Sequence, residues 1–160
     1  VRIILACVGR LKAGPERDLV ARYMTRAAAG ARSVGLTGVE QRELDEGRGR
    51  RPEDRRAEEA KSLRAFIPAS ARLILLDERG ASRSSEQLAA DIGQARDAGA
   101  SAYVIAIGGP DGFDASMREQ AAQVIAFGSM TWPHQLARIM ATEQIYRATT
   151  ILAGHPYHRA

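Results

Sequence analysis

The sequence predicts an α/β fold, a mainly parallel sheet with helices on both faces. Three observations carry that prediction. Runs of strand length such as Arg2 to Val8 (RIILACV), Arg72 to Leu76 (RLILL) and Tyr103 to Ile107 (YVIAI) are apolar, without polar alternation, as in strands buried on both faces. Segments with apolar residues at helical spacing stand between them, the order that produces a parallel sheet. Turns bearing glycine or proline then close the strands abruptly. At 160 residues with no internal repeat, low-complexity segment or second domain, residues 1–160 read as one domain.

The elements follow in order. Gly9 ends the first strand, and Pro15 sits where a helix can begin, with Leu19, Val20, Tyr23 and Met24 at helical spacing up to Ala29. A weaker strand is expected over Leu36 to Gln41. Asp45 to Arg56 (DEGRGRRPEDRR) reads as a charged, mobile loop, with Pro52 permitting a helix from Glu53 to Phe66. The third strand, Arg72 to Leu76, is followed by Asp77, Glu78 and a turn at Gly80. Ser84 or Ser85 caps a helix from about Glu86 to Ala98. After Tyr103 to Ile107 comes a Gly-Gly-Pro turn, then Asp114 as cap of a short helix to Ala121. Val124 to Phe127 makes a fifth strand, Gly128 to Pro133 (GSMTWP) a second turn, and His134 to Leu152 a long helix stopped by Gly154. The tail is HPYHRA.

Composition is that of a globular protein, 45% apolar and 26% charged, with a net charge of +4 supplied almost wholly by arginine. That excess is compatible with a phosphate-bearing partner without establishing one. The single cysteine, Cys7, lies inside an apolar strand and reads as a core residue. No apolar run reaches the roughly 18 residues of a membrane span, and no secretory signal is evident, so a cytoplasmic protein without membrane partners is expected.

Three strand ends offer loops for a ligand: Leu76 to Gly80, Gly108 to Gly112, and Gly128 to Pro133. In open α/β sheets ligands sit beyond the carboxyl ends of strands. Gly108 and Gly109 can take positive φ and let backbone amides approach a ligand, although two glycines alone also make an ordinary tight turn. Neither GxGxxG nor GxxxxGK[ST] is present. The three histidines lack zinc spacing, and no metal is expected. On the last helix Glu143 and Arg147 share a face, which by itself means a surface ion pair. The tail, with two histidines, a tyrosine, a proline and an arginine, can stack on a base, bind phosphate and move protons, or dock as an ordinary terminus.

The motifs IGGPDG, TWPHQLARIMATEQIYRA and the terminal HPYHR together, in order and at matching length, resemble the small SPOUT-class methyltransferases that methylate N3 of a pseudouridine in bacterial 23S ribosomal RNA. The resemblance implies a deep C-terminal trefoil knot, a rare exception to unknotted topology, and a homodimer built on the last helix. It implies S-adenosylmethionine held by Leu76, by Gly108 and Gly109, and by Gly128, Ser129, Met130, Thr131, Trp132 and Pro133. Its substrate would be the RNA of the assembled ribosome or its large subunit.

Methyl transfer at an imino nitrogen requires orientation and loss of a proton. The candidates for that work are His134 and Arg138 on the last helix and Tyr157, His158 and Arg159 in the tail, the tail reaching the partner subunit's pocket. Which of them takes the proton stays open, bound water included. Arg48, Arg50 and Arg51 are candidate phosphate contacts, or a solvated charged loop. A non-catalytic ribosome-binding module, a different nucleotide-binding α/β enzyme and a SPOUT enzyme for another base are the rival readings.

Overall fold

The computed structural model describes residues 1–159; Ala160, the end of the tail, lies outside the described residues. Among the described residues five strands and five α-helices alternate: β1 (Arg2–Val8), α1 (Pro15–Ala31), β2 (Gly38–Leu44), α2 (Pro52–Arg64), β3 (Arg72–Ser82), α3 (Ser85–Asp97), β4 (Ala102–Ile107), α4 (Ala115–Gln120), β5 (Gln123–Ala126) and α5 (His134–Leu152). The strands form one sheet in the order β2-β1-β4-β3-β5, and every pairing is parallel.

The period of two along each strand divides the core between the two faces. Ile3, Leu5 and Cys7 of β1 and Tyr103, Ile105 and Ile107 of β4 pack with α1, α3 and α5 through Ala27, Ile92 and Ile145. Ile4, Ala6 and Val8, with Val104 and Ala106, pack instead with Leu63 of α2 and Met117 of α4. Both faces are covered, which explains the unbroken apolar runs. Each buried Ile or Leu contributes about 1.5–3 kcal/mol.

The helix starts follow from local chemistry. Pro15 and Pro52 occupy first-turn positions, where a missing N–H costs nothing. Ser84 and Gln87 form a reciprocal capping box on α3, and Asp114 accepts the amide of Met117 on α4.

Two expectations move. The second strand begins at Gly38 rather than Leu36, because Leu36 is drawn into the core and its amide donates to Ala31 O, finishing α1. The turn expected at Gly80 is instead the continuation of β3. Residues 77–80 bulge out of register, and Ala81 and Ser82 rejoin β5 at Ile125 and Ala126. Gly80 passes so close to β5 that a Cβ there would lie 2.5 Å from the carbonyl carbon of Ile125. The glycine that reads as a turn is a close backbone crossing.

The last helix does not stay near the strand that precedes it. β5 is the sheet edge beside β3, yet Arg138 of α5 donates to Gly9 O at the end of β1 (2.9 Å) and to Glu43 of β2 (2.5 Å). Residues 127–137 therefore cross the carboxyl ends of β3 and β4 before α5 packs against α1 and α3. Among the described residues no helix is long and apolar enough to cross a membrane.

Candidate functional site

Beneath that crossing lies a cavity of about 260 Å³. It sits at the carboxyl ends of β3, β4 and β5, and all three loops expected from the sequence contribute to its wall. Leu76, Ile107, Ala126 and Phe127 supply apolar surface at the strand ends. The backbone of Gly108 to Gly112 supplies polar groups on one side, and Gly128, Met130, Thr131 and Trp132 close the other. His134 and Ala137, in the first turn of α5, complete it. Thr131 donates its hydroxyl to Glu78 (2.7 Å), and the Trp132 indole N–H points at Phe127 O (3.4 Å), so the last loop is tied to the first and folded on itself.

The two glycines of the central turn work differently from the expectation. Neither Gly108 nor Gly109 adopts positive φ; Gly112 does, at 77°. The turn closes through the Gly112 amide donating to Gly109 O (3.0 Å). Gly109 is needed for packing from behind. A Cβ there would meet Val8 Cγ1 at 3.0 Å and Glu59 Oε1 at 3.0 Å, groups outside the cavity. A side chain at Gly109 would first push the turn off its support.

Several residues at or behind the wall were not expected as site residues from the sequence. Asp77 and Glu78 arise from the β3 bulge, and Asp77 accepts from Arg118 (2.6 Å) and from the amide of Arg79 (2.9 Å). Their position directly after an apolar strand was the available signal. Asp111 accepts both ends of the Arg55 guanidinium, from Nε at 2.6 Å and Nη2 at 3.1 Å, which holds its carboxyl below the usual range. Arg55 and Asp111 are 56 residues apart, so nothing local in the sequence couples them. Glu59 is buried, with one oxygen accepting the Gly47 amide (2.8 Å) and the other unpartnered. Desolvation raises its pKa.

Of the candidate cofactor residues, Leu76, Gly108, Gly109, Gly128, Met130, Thr131 and Trp132 line the cavity, and Ser129 and Pro133 stand outside its wall. Of the candidate catalytic residues in this chain only His134 faces it. Arg138 is 4% exposed and engaged with Glu43 and Gly9, so it ties α5 to the ends of β1 and β2. Cys7 is buried and its thiol is pushed up to about 12, chiefly by desolvation; it is core.

The described part of the tail folds back on its own chain. Tyr157 donates to Glu143 (3.0 Å), stacks tilted on Tyr146 with ring centroids 4.7 Å apart, and lies under the Arg147 guanidinium. Burial, then the Glu143 contact, pushes its phenol up to about 12. His158 meets Glu86 through Nε2 (2.7 Å) and Arg147 through Nδ1 (3.2 Å). Arg159 is exposed. Glu143 and Arg147, which the sequence alone reads as a surface pair, are the dock for this tail. Arg147 lies thirteen residues along α5 from His134, about 20 Å at the rise of an α-helix. Within one chain the tail and the cavity belong to opposite ends of α5. The loop arginines Arg48, Arg50 and Arg51 are exposed, and Arg51 pairs with Asp54.

A family model described as "Predicted SPOUT methyltransferase" matches residues 1–158. Proteins named ribosomal RNA large subunit methyltransferase H are similar over their full length. The one from Methylocella silvestris is 55% identical, covering 99% of each chain. Those from Beijerinckia indica and Xanthobacter autotrophicus are 51% and 53% identical, covering 100% of each chain. A solved structure of the SpoU methyltransferase AviRb from Streptomyces viridochromogenes, in complex with AdoMet, overlaps 96% of this chain and 58% of its own, at a TM-score of 0.40 and 10% identity.

Proposed function

This chain belongs to the SPOUT methyltransferases, in the family of the ribosomal RNA large subunit methyltransferase H proteins, and from that membership we propose that it methylates N3 of a pseudouridine in 23S ribosomal RNA, with S-adenosylmethionine as donor. The observation that carries the reading is the convergence of three strand-end loops on one cavity. Its apolar walls at Leu76, Ile107, Ala126 and Phe127 suit a flat heterocycle, and the backbone groups of the two glycine loops suit its polar edge. Asp77 and Asp111 are already paired with Arg118 and Arg55, so the carboxylate at the wall that suits a ligand carrying positive charge is that of Glu78, which accepts the Thr131 hydroxyl.

When bound, S-adenosylmethionine supplies an activated methyl group on a sulfonium. The protein's part is to hold the loops in place, to exclude water, and to align the base nitrogen, which is work of positioning. Loss of the imino proton calls for a base or for stabilisation of the imide anion. His134, at the cavity wall, is the group of this chain nearest to that task. Tyr157, His158 and Arg159 serve the same task from a second copy of the chain. Two α5 helices paired antiparallel about a twofold axis bring the tail end of one beside the His134 end of the other. The exposed Trp132 and Leu136 at the start of α5 (42% and 43% exposed) are surface that such a partner would cover. The crossing of residues 127–137 over β3 and β4 is the part of the chain in which the trefoil knot would lie. We assign the protein to the cytoplasm, with the ribosome or its large subunit as substrate.

Calorimetry with S-adenosylmethionine, together with mass mapping of 23S RNA from a strain lacking the gene, tests the proposal. Binding of one cofactor per cavity and the loss of a single methyl from a pseudouridine are expected. A protein that binds ribosomes but not S-adenosylmethionine would be a non-catalytic module, and a missing methyl on another base would move the specificity.

A further inference from the structure

The charged segment from Asp45 to Arg51 leads into α2, and its backbone is held by α2 side chains at each step. Gly47 N donates to Glu59 (2.8 Å) and Arg48 N to Glu58 (2.8 Å). Arg55 Nη1 donates to Gly49 O (3.2 Å) and Arg50 O (3.1 Å). The same guanidinium uses its other edge for the fork on Asp111, and Arg56 reaches Asp111 O (3.4 Å). Asp111 is at the tip of the turn that lines the cavity. Glu59 touches both segments as well, through the Gly47 amide and through its unpartnered oxygen against Gly109. The loop also packs without slack, since a Cβ at Gly47 would lie 2.5 Å from Arg55 O. An exposed cationic loop and the cavity turn are thus two ends of one rigid connection, with a single planar group at its centre.

We propose that Arg55 is a positioning residue that couples the loop at residues 45–51 to the Gly109–Gly112 turn, so that cofactor in the cavity and a phosphate-bearing RNA on the loop stabilise each other. The inference rests on the reading of the cavity as the S-adenosylmethionine site. Arg55 touches neither ligand. Its fork fixes the Asp111 carboxylate in direction as well as distance, and its remaining edge fixes the Gly49 and Arg50 carbonyls, next to the backbone that presents Arg48 and Arg50. Lysine keeps the charge but cannot satisfy both segments in one plane. Coupling between two sites is reciprocal in free energy, so a cofactor that orders the loop is one whose binding an ordered loop favours.

The experiment is amide hydrogen exchange on wild type, Arg55→Lys and Asp111→Asn, each with and without S-adenosylmethionine, with calorimetric Kd values. In wild type the cofactor should slow exchange across 45–51 by fivefold or more, the low end of ordinary couplings. In Arg55→Lys the cofactor should still bind, with Kd raised by about the same factor, while the slowing at 45–51 disappears. A purely structural role would raise exchange without removing that ligand-dependent difference. Asp111→Asn should behave the same way, and the double variant should add little to either. Slowing at 45–51 that survives in Arg55→Lys, or its absence in wild type with cofactor bound, overturns the coupling. The two failures are distinguishable: if wild type binds no S-adenosylmethionine, the proposed function fails and the coupling falls with it, whereas cofactor binding without slowing at 45–51 overturns the coupling alone.

Discussion

The two ends of α5 are built from opposite materials. Around His134 the chain offers a wall of loop backbone, the glycine-rich turn at Gly108–Gly112 and apolar side chains at the strand ends, Leu76, Ile107 and Ala126, with charged side chains such as Glu78 and Arg79 at its edge. Around Arg147 it offers a web of polar side chains, in which Glu143, Arg147, Tyr157, His158 and Glu86 bond one another and two tyrosine rings stack. The first arrangement leaves a cavity because backbone cannot fill the space it encloses. The second is packed with side chains, and it holds Tyr157 and His158 of the tail by bonds that can be exchanged for equivalent ones elsewhere. One end is suited to keeping a ligand, the other to releasing and re-docking a segment.

The largest expected effect comes from removing the releasable part. Deleting residues 157–160 should reduce single-turnover methylation on ribosomes by about a hundredfold or more, the low end of what a positioned acid–base group contributes. Cofactor affinity should stay near wild type, since no described tail residue of the same chain lines the cavity. The melting temperature should fall modestly, because the deletion also removes the stacking on Tyr146 and the bond to Glu143. Mixing sharpens the comparison. The truncated chain combined with an Ala126→Trp chain, whose cavity is filled, should recover activity if the tail serves the other subunit's cavity. No recovery in a mixed dimer, or full activity in the truncated one, would contradict the assignment of Tyr157, His158 and Arg159.

The second effect tests whether the cavity end depends on close backbone approach. Gly109→Ala places a methyl 3.0 Å from both Val8 and Glu59. It should cost about 1–3 kcal/mol, as overpacking does, and weaken S-adenosylmethionine binding by displacing the turn. Denaturant midpoints and calorimetry read the two consequences. Weakened binding at unchanged stability would mean that the glycine faces the ligand and not its support.

These contrasts mark what the sequence could disclose. The strands and α5 were legible because burial on both faces leaves an unbroken apolar run and a helix keeps its period. The three cavity loops were legible because glycine and proline stop strands where they must. Gly80 misled, because a glycine demanded by a neighbouring strand looks the same as one demanded by a turn. Arg138 shows a similar limit: an arginine near a site motif does not reveal that Glu43 and Gly9 hold it. The Arg55–Asp111 fork and the Glu59 carboxylate were invisible, since both join segments far apart in the chain. The tail's residues announced themselves, but their dock on Glu143 and Arg147 did not. An i,i+4 pair on a helix reads the same whether it faces water or a returning terminus.

The smallest effect concerns acid. The hydrogen bond from His158 holds the Glu86 carboxyl at about 2, well below its ordinary 4.5. A group whose pKa is depressed by folding contributes its stabilisation above the unfolded value and loses it as pH falls through the folded one. The Glu86 anchor of the tail is therefore complete above about pH 4.5 and released between there and about pH 2. Asp111, held low by Arg55 at the other end of α5, responds in the same direction, so a global probe would blur the two ends. Local probes separate them. The single tryptophan, Trp132, stands at the cavity, whereas the ring resonances of His158, in direct contact with Glu86, report that side of the dock. Replacing Glu86 by glutamine should remove the acid shift of the His158 signals while leaving the Trp132 fluorescence titration in place. If the His158 signals of Glu86→Gln still move between pH 4.5 and 2 as in wild type, the Glu86 carboxyl is not the group that titrates at the dock.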